Sequence, residues 1–503
     1  MKDLRVLFCW DRMNFIHLNF KRMKFKPLKF IYMKFIISME VSEMNFIGRE
    51  KETAQIMEAL QSDGQELILI YGRRHIGKTE LVKHCLQGYH GKSVYYMCRQ
   101  VNEKLQTAGL TSAVSIVNDL HGMYFRSFEA CLKYLFESAE NEPLVIVLDE
   151  YPYARKMIEG LDSIIQALFD EYKFRSKIKL ILSGSYIDTM KEIADQSQPL
   201  NGRITLQIDL KEMNYFESAK FYPDFRNDEK VQLFSVFGGV PLYNSMIRKD
   251  LSVKENIIRL IASPNGRLVN EVNTLISAEL SKLENAAGVF SAIAEGARTY
   301  SEIQDESGIT STASLSATLK KLMGMELVKK IYPINKENDK TKTRYEISDH
   351  LSLFYYKYIA GNISSMTIMD SEAFYERFIA EDFYERYVPR VFEEVCAQFL
   401  IRKNRQGNID PVFTEIGKYY YDNPSERKNG EFDIVTNDEN GYIFYEAKFK
   451  SMPVSYGMIQ KEIKQVNATT LHSYRYGFFS KSGFKDDIPK EIICYTLDDL
   501  FNT

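Results

Sequence analysis

Residues 67–79 read Leu-Ile-Leu-Ile-Tyr-Gly-Arg-Arg-His-Ile-Gly-Lys-Thr, an apolar run that passes into a glycine-rich segment. The spacing Gly-x-x-x-x-Gly-Lys-Thr is typical of a phosphate-binding loop between a strand and a helix. Glycines let backbone N–H groups turn toward phosphate oxygens, and the following helix adds partial positive charge. We expect a nucleotide to bind through Gly72, Arg73, Arg74, His75, Ile76, Gly77, Lys78 and Thr79.

Two side chains of this loop have predicted roles in ATP chemistry. Lys78 is expected to reach the β- and γ-phosphates, and the Thr79 hydroxyl is expected to ligate Mg²⁺. The apolar residues Leu81 and Val82 favour a helix directly after the loop. A glycine-rich turn that binds nothing is the alternative interpretation.

A second buried strand with a polar end lies downstream, at 143–150. Its sequence is Pro-Leu-Val-Ile-Val-Leu-Asp-Glu, and such continuous apolar runs are typical of parallel strands covered on both faces. Ligands of open α/β sheets bind at the carboxyl ends of the strands. Asp149 is therefore predicted to hold the Mg²⁺ water shell and Glu150 to polarise the attacking water. The alternative is a solvated acidic turn.

A third apolar strand, at 178–185, ends in Ser-Gly-Ser. Ser183 suits a sensor position, where a hydroxyl group reads the γ-phosphate or the attacking water. Arg203, in the sequence Asn-Gly-Arg before another strand-like segment, is a candidate arginine finger. An ordinary arginine of a surface loop is the other interpretation of Arg203.

Four segments together carry a family resemblance. Phe46-Ile-Gly-Arg-Glu50, the Arg73-Arg74 pair, Leu148-Asp-Glu-Tyr151 and Phe237-Gly-Gly-Val-Pro-Leu-Tyr243 resemble the prokaryotic archaeal-type AAA/STAND ATPases. The resemblance implies an ATPase that binds ATP and Mg²⁺, with sheet order 5-1-4-3-2 and a helical lid after Arg203. His75 departs from the family pattern, in which a small or polar residue is frequent, and is expected to weaken nucleotide binding or make it pH-dependent.

Composition limits the class of protein. The chain has 503 residues, 45% of them hydrophobic, and a net charge of −3. This content suffices for several cores, and the charge gives no global basic field that would attract nucleic acid. Six scattered cysteines without a Cys-x-x-Cys pair indicate reduced thiols and a cytoplasmic location. Because no run of 18 apolar residues occurs, we expect no transmembrane helix and no membrane partner.

The first 43 residues differ from the rest, with nine Lys/Arg against four Asp/Glu. We expect a disordered basic tail or an over-extended reading frame, because Met44 begins a segment that is a natural start for this family. A basic, aromatic membrane-surface anchor is the alternative.

Residues 287–350 predict three short helices and a β-hairpin, the plan of a winged helix-turn-helix. The third helix and the hairpin offer polar and basic side chains for DNA phosphates: Ser311, Thr312, Ser314, Ser316, Thr318, Lys320, Lys321, Lys336, Lys340, Lys342 and Arg344. A winged helix used only for protein packing is the alternative.

A hairpin at 430–448 carries the last candidate site. Glu446 and Lys448 alternate by two on its second strand, and Asp433 lies on the first. The pattern resembles the PD-(D/E)xK nucleases, in which two carboxylates hold Mg²⁺ and a lysine orients or deprotonates the attacking water. Glu393 matches the extra acidic position on a preceding helix. Further basic candidates for the DNA backbone are Lys418, Arg427, Lys428, Lys461 and Lys464. A solvated hairpin and a catalytically dead nuclease fold are the alternatives.

The sequence therefore predicts an α/β protein: a P-loop AAA-type parallel sheet with a helical lid, a winged helix and a C-terminal restriction-endonuclease-like domain. The predicted segments are a tail at 1–43, the ATPase core at 44–210, the lid at 211–286, the winged helix at 287–350, a helical linker at 351–385 and the nuclease-like domain at 386–503. The leading hypothesis is an ATPase that binds DNA and gates the nuclease-like domain, with self-association possible. The other is a STAND-like signalling or scaffold switch without nuclease activity.

Overall fold

The computed structural model describes residues 46–117, 123–277, 283–336, 339, 342–423, 428–485 and 487–502. The predicted tail or misassigned start at 1–43 lies outside these residues. Residues Ile47–Thr503 form one compact unit. The sequence divides residues 44–503 into five segments, and this finer division stays a prediction.

Five parallel strands form the first sheet: β1 (Glu66–Tyr71), β2 (Lys92–Met97), β3 (Leu144–Asp149), β4 (Ile178–Gly184) and β5 (Leu206–Asp209). Their order is β2-β3-β4-β1-β5, which is the predicted order 5-1-4-3-2 seen from the opposite edge. Every residue of β3 and β4 is buried, as expected for strands with helices over both faces. The predicted parallel α/β sheet is confirmed.

Among the described residues, twelve helices accompany this sheet and the segment after it. Those within the sheet region are α1 (Glu50–Gln61), α2 (Lys78–Gly88), α3 (Glu103–Val117), α4 (Phe128–Ser138), α5 (Tyr151–Met157), α6 (Leu161–Glu171) and α7 (Ile187–Ile193). Those in the predicted lid are α8 (Tyr215–Ala219), α9 (Asn227–Phe237), α10 (Pro241–Ser245), α11 (Val253–Leu260) and α12 (Glu271–Ser277).

Three helices and a hairpin follow, in the order that the sequence predicts. They are α13 (Leu283–Glu295), α14 (Tyr300–Glu306), α15 (Thr312–Gly324), β6 (Val328–Ile331) and β7 (Arg344–Ile347). The two strands pair antiparallel, with Val328 opposite Ile347. Leu315, Leu319 and Leu322 of α15 are buried, which agrees with their helical spacing.

Helical turns then lead to a long helix. They are α16 (His350–Phe354), a π-helical turn (Tyr355–Ile359), a 3₁₀ turn (Ala360–Asn362), α17 (Ile363–Ile368), α18 (Ser371–Tyr375), two further π-helical turns (Glu376–Ala380 and Phe383–Tyr387) and α19 (Val388–Arg405). Many of the buried side chains here are aromatic; the rings of Phe354, Phe383 and Tyr387 contact one another.

The C-terminal sheet is mixed. Its elements are β8 (Glu415–Asn423), β9 (Lys428–Asp438), β10 (Gly441–Lys448), α20 (Tyr456–Asn467), β11 (Ser473–Ser480), β12 (Ile492–Thr496) and α21 (Leu497–Phe501). The order is β12-β11-β10-β9-β8, with β8, β9 and β10 antiparallel and β10, β11 and β12 parallel. The predicted hairpin is confirmed, with a two-residue turn between Asp438 and Gly441.

The cysteine prediction agrees with the structure where it can be examined. The five cysteines among the described residues are free thiols, and four of them are buried: Cys85, Cys98, Cys131 and Cys396. None of the described helices combines the length and the apolar character that crossing a bilayer would need.

Candidate functional site

The glycine-rich loop connects the end of β1 to the start of α2, as the sequence predicts. Gly72 has a φ of 153°, and a Cβ atom there would lie 2.2 Å from the carbonyl oxygen of Leu210. Gly77 precedes α2 with a φ of 91°. Both positions require glycine, because a side chain would clash with backbone or force a left-handed strain. The loop therefore presents backbone and a helix N-terminus to the carboxyl edge of the sheet.

Lys78 lies inside the loop with its side chain 6% exposed. Its Nζ donates hydrogen bonds to the carbonyl oxygens of Gly72 (2.9 Å) and Arg73 (2.8 Å). Burial lowers the pKa of Lys78 to about 8, although Glu150 and Asp149 act in the opposite direction. The loop thus stores a partly desolvated cation that an incoming phosphate would neutralise.

Asp149, at the end of β3, receives four hydrogen bonds. Its Oδ2 accepts from Thr79 Oγ1 (2.7 Å) and from Tyr95 OH (2.5 Å). Its Oδ1 accepts from Ser183 Oγ and from the backbone N–H of Glu150 (3.0 Å). The structure therefore brings together three side chains predicted separately from the sequence, and adds Tyr95.

The oxygen atoms at this point suit a magnesium ion. A hydroxyl and a carboxylate are the hard oxygen donors that Mg²⁺ prefers, and Thr79 Oγ1 keeps lone pairs free while it donates to Asp149. Within the described ranges, no group of three or more His, Cys, Asp and Glu side chains could by itself hold a metal ion. This agrees with a cation held mainly by phosphates and water.

Glu150 follows Asp149 in a left-handed conformation, with φ 51°. Such backbone strain at a non-glycine residue is typical of functional sites. Its Oε1 accepts a hydrogen bond from Ser185 Oγ (2.6 Å) in the segment after β4. Glu150 and Ser183 therefore lie on adjacent strand ends, at the edge of the sheet that carries the loop.

Two arginine side chains of the loop make contacts with residues outside it. Arg73 is buried and pairs with Glu212 and Asp349 (2.8 Å). Arg74 lies 5.7 Å from the ring centroid of Tyr186. The Arg73 side chain is thus engaged elsewhere, and only its backbone remains in position to meet a nucleotide.

His75 has a left-handed φ of 66°, and its Nε2 lies 3.2 Å from Glu271 Oε1 on α12. Burial lowers the pKa of His75, against the opposing charge of Glu271. The expected pH-dependence of nucleotide binding would therefore act through this contact between the loop and the predicted lid.

The structure does not bring Arg203 to this site. Arg203 precedes β5, whose first residue, Leu206, is level with Ile68 of β1, so it lies toward the amino edge of the sheet, opposite the loop. Its guanidinium group binds both carboxylate oxygens of Asp170 (3.2 and 2.8 Å). Within one chain, Arg203 is a surface arginine in an ion pair with Asp170. It lies far from the loop because β5 begins just after Arg203 and runs from there toward the edge of the sheet that carries the loop.

The C-terminal carboxylate cluster consists of Glu393, Asp433 and Glu446. The β9–β10 register pairs Tyr445 with Ile434, so Glu446 and Asp433 occupy the next opposing positions. Burial raises the pKa of Glu393 to about 8, and Asp433 and Glu446 add to the effect. Asp433 and Glu446 thus occupy opposing positions on β9 and β10, and both act electrostatically on Glu393 of α19.

Lys448 of β10 pairs with Glu446 of this cluster and with Glu462 of α20. Lys448 Nζ lies 2.6 Å from Glu446 Oε1 and 3.0 Å from Glu462 Oε1. Burial alone would lower the pKa of Lys448, but these two carboxylates raise it. Lys448 is therefore held between two carboxylates, and both of its predicted roles stay predictions.

Lys418 is not available to the DNA backbone, contrary to the prediction. Its Nζ lies 2.8 Å from Asp433 and 3.0 Å from Glu346 of β7. Burial opposes the charge, but these carboxylates raise the pKa of Lys418. Lys461 and Lys464 are exposed on α20, whereas Arg427 and the side chain of Lys428 lie outside the described residues.

The loop between β6 and β7, residues 332–343, is called the wing loop below. It lies against β8, the edge strand of the C-terminal sheet: Ile334 N–H donates to Lys418 O (2.8 Å), and Lys342 Nζ donates to Tyr420 OH (2.9 Å). Lys340 lies outside the described residues. The predicted free DNA-binding wing is therefore docked on the neighbouring sheet.

The predicted recognition helix α15 is partly exposed. Ser311, Thr312, Ser316 and Lys320 lie on its exposed side. Thr318 is buried, because it lies between the core residues Leu315 and Leu319, so it cannot contact DNA. Lys321 Nζ lies 3.6 Å from Asp188 of α7. The helix therefore offers a narrower polar surface than its sequence suggests.

Sequence reasoning missed three residues, Tyr95, Asp349 and Glu462. It also missed the structural role of Lys418. Tyr95 stands in a Val-Tyr-Tyr run without any motif, and only its place on the strand next to β3 reveals it. Asp349 and Lys418 make their contacts across long sequence separations. For Glu462 the sequence did contain a signal: its helical spacing places it on the face of α20 that lies near Lys448 of β10.

Comparison with known proteins agrees with this architecture. Residues 46–246 match the family model of an ATPase domain predominantly from Archaea. This part of the chain is therefore similar to ATPase domains found predominantly in Archaea. Residues 355–466 match a family of archaeal and bacterial proteins of unknown function.

Individual relatives span most of the chain. An uncharacterized protein of Methanocaldococcus jannaschii is 27% identical over 415 residues, which cover 81% of this chain and 88% of the relative. A Walker-type ATPase of Pyrococcus abyssi is similar in structure, with a TM-score of 0.46, 18% identity and coverage of 63% of this chain and 97% of that one. The ORC2 protein of Aeropyrum pernix, in ADPNP–ADP complexes, gives a TM-score of 0.43, 16% identity and coverage of 64% and 96%.

Proposed function

We propose that this protein binds ATP and hydrolyses it in a magnesium-dependent reaction at residues 72–79. The observation that carries the proposal is the 2.7 Å hydrogen bond from Thr79 to Asp149 beneath the buried Lys78. A phosphate-binding loop, a hydroxyl ligand and a carboxylate at the neighbouring strand end are the parts that phosphoryl transfer requires.

The residues would divide the work as follows. Lys78 would leave the carbonyl oxygens of Gly72 and Arg73 and bind the β- and γ-phosphates. Thr79 and Asp149 would hold Mg²⁺, which supplies charge neutralisation across these phosphates when bound. Glu150 would orient the attacking water and accept its proton, and Ser183 would fix the Asp149 carboxylate.

Phosphate release from ATP by the purified full-length chain tests this proposal. We expect release that requires Mg²⁺ and is absent in the Asp149→Ala variant. The control variant is Lys83→Ala, which removes an exposed lysine of α2. The fully buried Lys179 would not serve as a control. Release that persists in the presence of EDTA, or in Asp149→Ala, would contradict the assignment.

We further propose that the C-terminal region is a metal-dependent, DNA-directed nuclease-like domain that the ATPase gates in the cytoplasm. The supporting observation is the group of Glu393, Asp433 and Glu446: burial raises the pKa of Glu393 to about 8, and the charges of Asp433 and Glu446 add to this effect. A divalent cation held by Asp433 and Glu446, the two carboxylates predicted as its ligands, would reduce the repulsion between them. Lys448 beside them would orient the attacking water.

DNA contact in this scheme requires the wing loop to leave β8. The exposed side of α15 supplies Ser311, Ser316 and Lys320, whereas Lys342 is held by Tyr420. A nucleotide-driven movement that released the wing loop would therefore increase the basic surface next to α15. Phosphate contacts of this kind give affinity with little sequence discrimination.

A specific observation favours a second candidate function, a nucleotide-dependent switch without nuclease activity. Lys418 joins Asp433 to Glu346, so the carboxylate cluster is already neutralised by the chain itself. In this alternative the wing loop and β8 form the switched contact, and the cluster serves only to hold it.

Cleavage assays separate the two candidates. Single-stranded, duplex and branched DNA are incubated with the full chain and Mg²⁺ or Mn²⁺, with and without ATP, beside Asp433→Ala. Cleavage that the variant loses supports the nuclease. Absence of cleavage on every substrate, with ATP hydrolysis intact, supports the switch.

A further inference from the structure

Tyr95 is a tyrosine of β2 whose hydroxyl group reaches the carboxylate at the end of the next strand. Its OH donates to Asp149 Oδ2 at 2.5 Å, a length typical of a charge-assisted O–H···O⁻ bond. Thr79 donates to the same oxygen at 2.7 Å.

The other partners of Asp149 belong to segments that meet the nucleotide or adjoin it. Thr79 belongs to the phosphate-binding loop, and Ser183 lies at the end of β4 in the predicted sensor position. Tyr95 instead comes from β2, on the far side of β3 from the loop. It is therefore a partner that can keep its hydrogen bond whichever nucleotide is bound.

An aspartate carboxylate needs such a partner, because its terminal torsion is broad and roughly two-fold. We infer that Tyr95 is the positioning residue that holds the Asp149 carboxylate in the orientation for the magnesium water shell. The inference rests on the proposed ATPase function. It adds a hydroxyl group that no part of the phosphate-loop pattern contains.

The test compares Tyr95→Phe with Tyr96→Phe in the full chain. Both variants lose one tyrosine hydroxyl from β2 and keep the ring. The Tyr96 hydroxyl donates to Gln106 Oε1 (2.5 Å) and does not touch Asp149. Binding of a fluorescent ATP analogue is titrated in EDTA and across Mg²⁺ concentrations, and bound Mn²⁺ is counted by electron paramagnetic resonance.

We expect Tyr95→Phe to raise the Mg²⁺ and Mn²⁺ concentrations at half-saturation by about tenfold, within the range typical of lost outer-shell partners. Affinity for the analogue in EDTA should stay at the wild-type value, and Tyr96→Phe should change neither quantity. An unchanged metal requirement in Tyr95→Phe would overturn the inference. Equal changes in both variants would also overturn it, because they would indicate a general packing effect.

A double-variant comparison keeps the inference testable if single substitutions perturb the fold. In an Asp149→Ala background, Tyr95→Phe should have no further effect on the metal requirement, because its hydroxyl group then has nothing to position. A further loss in that background would show that Tyr95 acts by another route. Failure of the ATPase proposal is distinguishable, since the wild-type chain would then show no metal-dependent binding of the analogue at all.

Discussion

At the scale of single residues, Lys78 is the buried cation of the glycine-rich loop, placed to balance the negative charge of a phosphate. Its side chain is 6% exposed and its pKa is lowered by burial to about 8, so it has little contact with water to lose when phosphate arrives. Its present partners are two carbonyl oxygens of the same loop, which a phosphate can replace. The energetic effect of this lysine should therefore appear in binding rather than in folding.

Lys78→Ala should weaken ATP binding at least about thirtyfold, because it removes one partner of a buried charge pair. Thermal unfolding of the free protein should stay close to wild type, since the buried cation itself is costly to fold. Isothermal titration calorimetry measures the binding. Lys83→Ala is the control: Lys83 lies on the same helix but is exposed and pairs only with the exposed Glu80. Tight ATP binding by Lys78→Ala would remove this lysine from the site.

Glu150→Gln should bind ATP with wild-type affinity and hydrolyse it about 10² to 10⁴ times more slowly, the range for a lost general base. The amide keeps the size of the side chain and can still accept the hydrogen bond from Ser185. Single-turnover phosphate release is the appropriate measurement. Glu80→Gln, an exposed acid on α2, should hydrolyse normally. Wild-type turnover in Glu150→Gln would assign the base elsewhere.

Residue-level prediction from the sequence was strongest where the chemistry is local. Lys78, Thr79 and Asp149 follow from spacing and from the end of an apolar strand, and the structure places them together. Tyr95 and Asp349 could not be found in this way. Their partners lie 54 and 276 positions away, and such contacts depend on strand order and packing that no local pattern encodes.

At the scale of elements, the phosphate-binding loop is tied to a helix far along the chain. Arg73 of the loop is buried between Glu212, which follows β5, and Asp349, the N-cap residue of α16. Asp349 also accepts hydrogen bonds from the backbone and side chain of Ser352. One aspartate thus caps a helix and neutralises a buried arginine.

Asp349→Ala should lower the free energy of unfolding by about 3–5 kcal/mol, because it removes one of the two carboxylates that pair with the buried Arg73 charge. Asp370→Ala isolates the capping component, since Asp370 caps α18 from an exposed position. That control should cost about 1 kcal/mol. Urea unfolding measures both. Equal losses would mean that the ion pair with Arg73 contributes nothing beyond the cap.

The side chain of Asn335 holds the wing loop on β8 through two hydrogen bonds to the backbone of one residue of that strand. Asn335 donates from Nδ2 to Tyr420 O (2.7 Å) and accepts at Oδ1 from Tyr420 N–H (2.9 Å). Both backbone groups belong to the edge strand of the C-terminal sheet, where they would otherwise lack a ladder partner.

Asn335→Ala should speed amide hydrogen exchange at Tyr420 at least about fivefold, since each lost hydrogen bond contributes roughly 0.5–1.5 kcal/mol. Exchange at Phe444, inside the sheet, should not change. Asn408→Ala is the matched control, because that asparagine is exposed and its side-chain amide donates to Gln406 Oε1 at 3.5 Å, away from β8. Unaltered exchange at Tyr420 would show that the wing loop is held by other contacts.

The sequence predicted which helices and strands form, but it did not predict how the wing loop packs against β8. The hairpin at 430–448, the third helix of the segment 287–350 (observed at 312–324) and the order of the parallel sheet were all predicted. The docking of the wing loop was not, because Lys342 reads as a solvent-exposed phosphate ligand until its partner Tyr420 is known. Burial of Thr318 was missed for a related reason, since a small polar residue is compatible with either face of a helix.

At the scale of the whole molecule, the nucleotide site and the C-terminal carboxylate cluster are separated by few contacts. Asp349 binds Arg73 of the loop, and the next residue, His350, pairs with Glu394 of α19. Glu393, beside it on the same helix, belongs to the cluster. Arg73, Glu212, His350 and Glu394 line one cavity of about 540 Å³. A change in the loop would therefore reach α19 through two ionic contacts.

The His350–Glu394 pair makes the stability of this connection depend on pH. The Nε2 of His350 lies 3.6 Å from Glu394 Oε2. Burial alone would lower the pKa of His350, but Glu394 and Glu212 together raise it above its ordinary 6.5, against the opposing charge of Lys329. Burial likewise opposes the charge on Glu394, yet His350 and Lys329 lower its pKa to about 2. Glu394 therefore stays ionised throughout the range in which His350 titrates.

A histidine with a raised folded pKa stabilises the protein fully below its unfolded pKa and loses that contribution as the pH rises through the folded value. The wild-type chain should therefore lose stability above about pH 6.5 relative to His350→Gln, in which this titration is absent. Urea unfolding of both proteins from pH 5.5 to 9 gives the difference directly. His472→Gln is the control, because that histidine lies in the turn before β11 and is exposed. A difference that stays constant with pH would mean that His350 is neutral in the folded chain, and that the link from the nucleotide site to α19 depends on packing rather than charge.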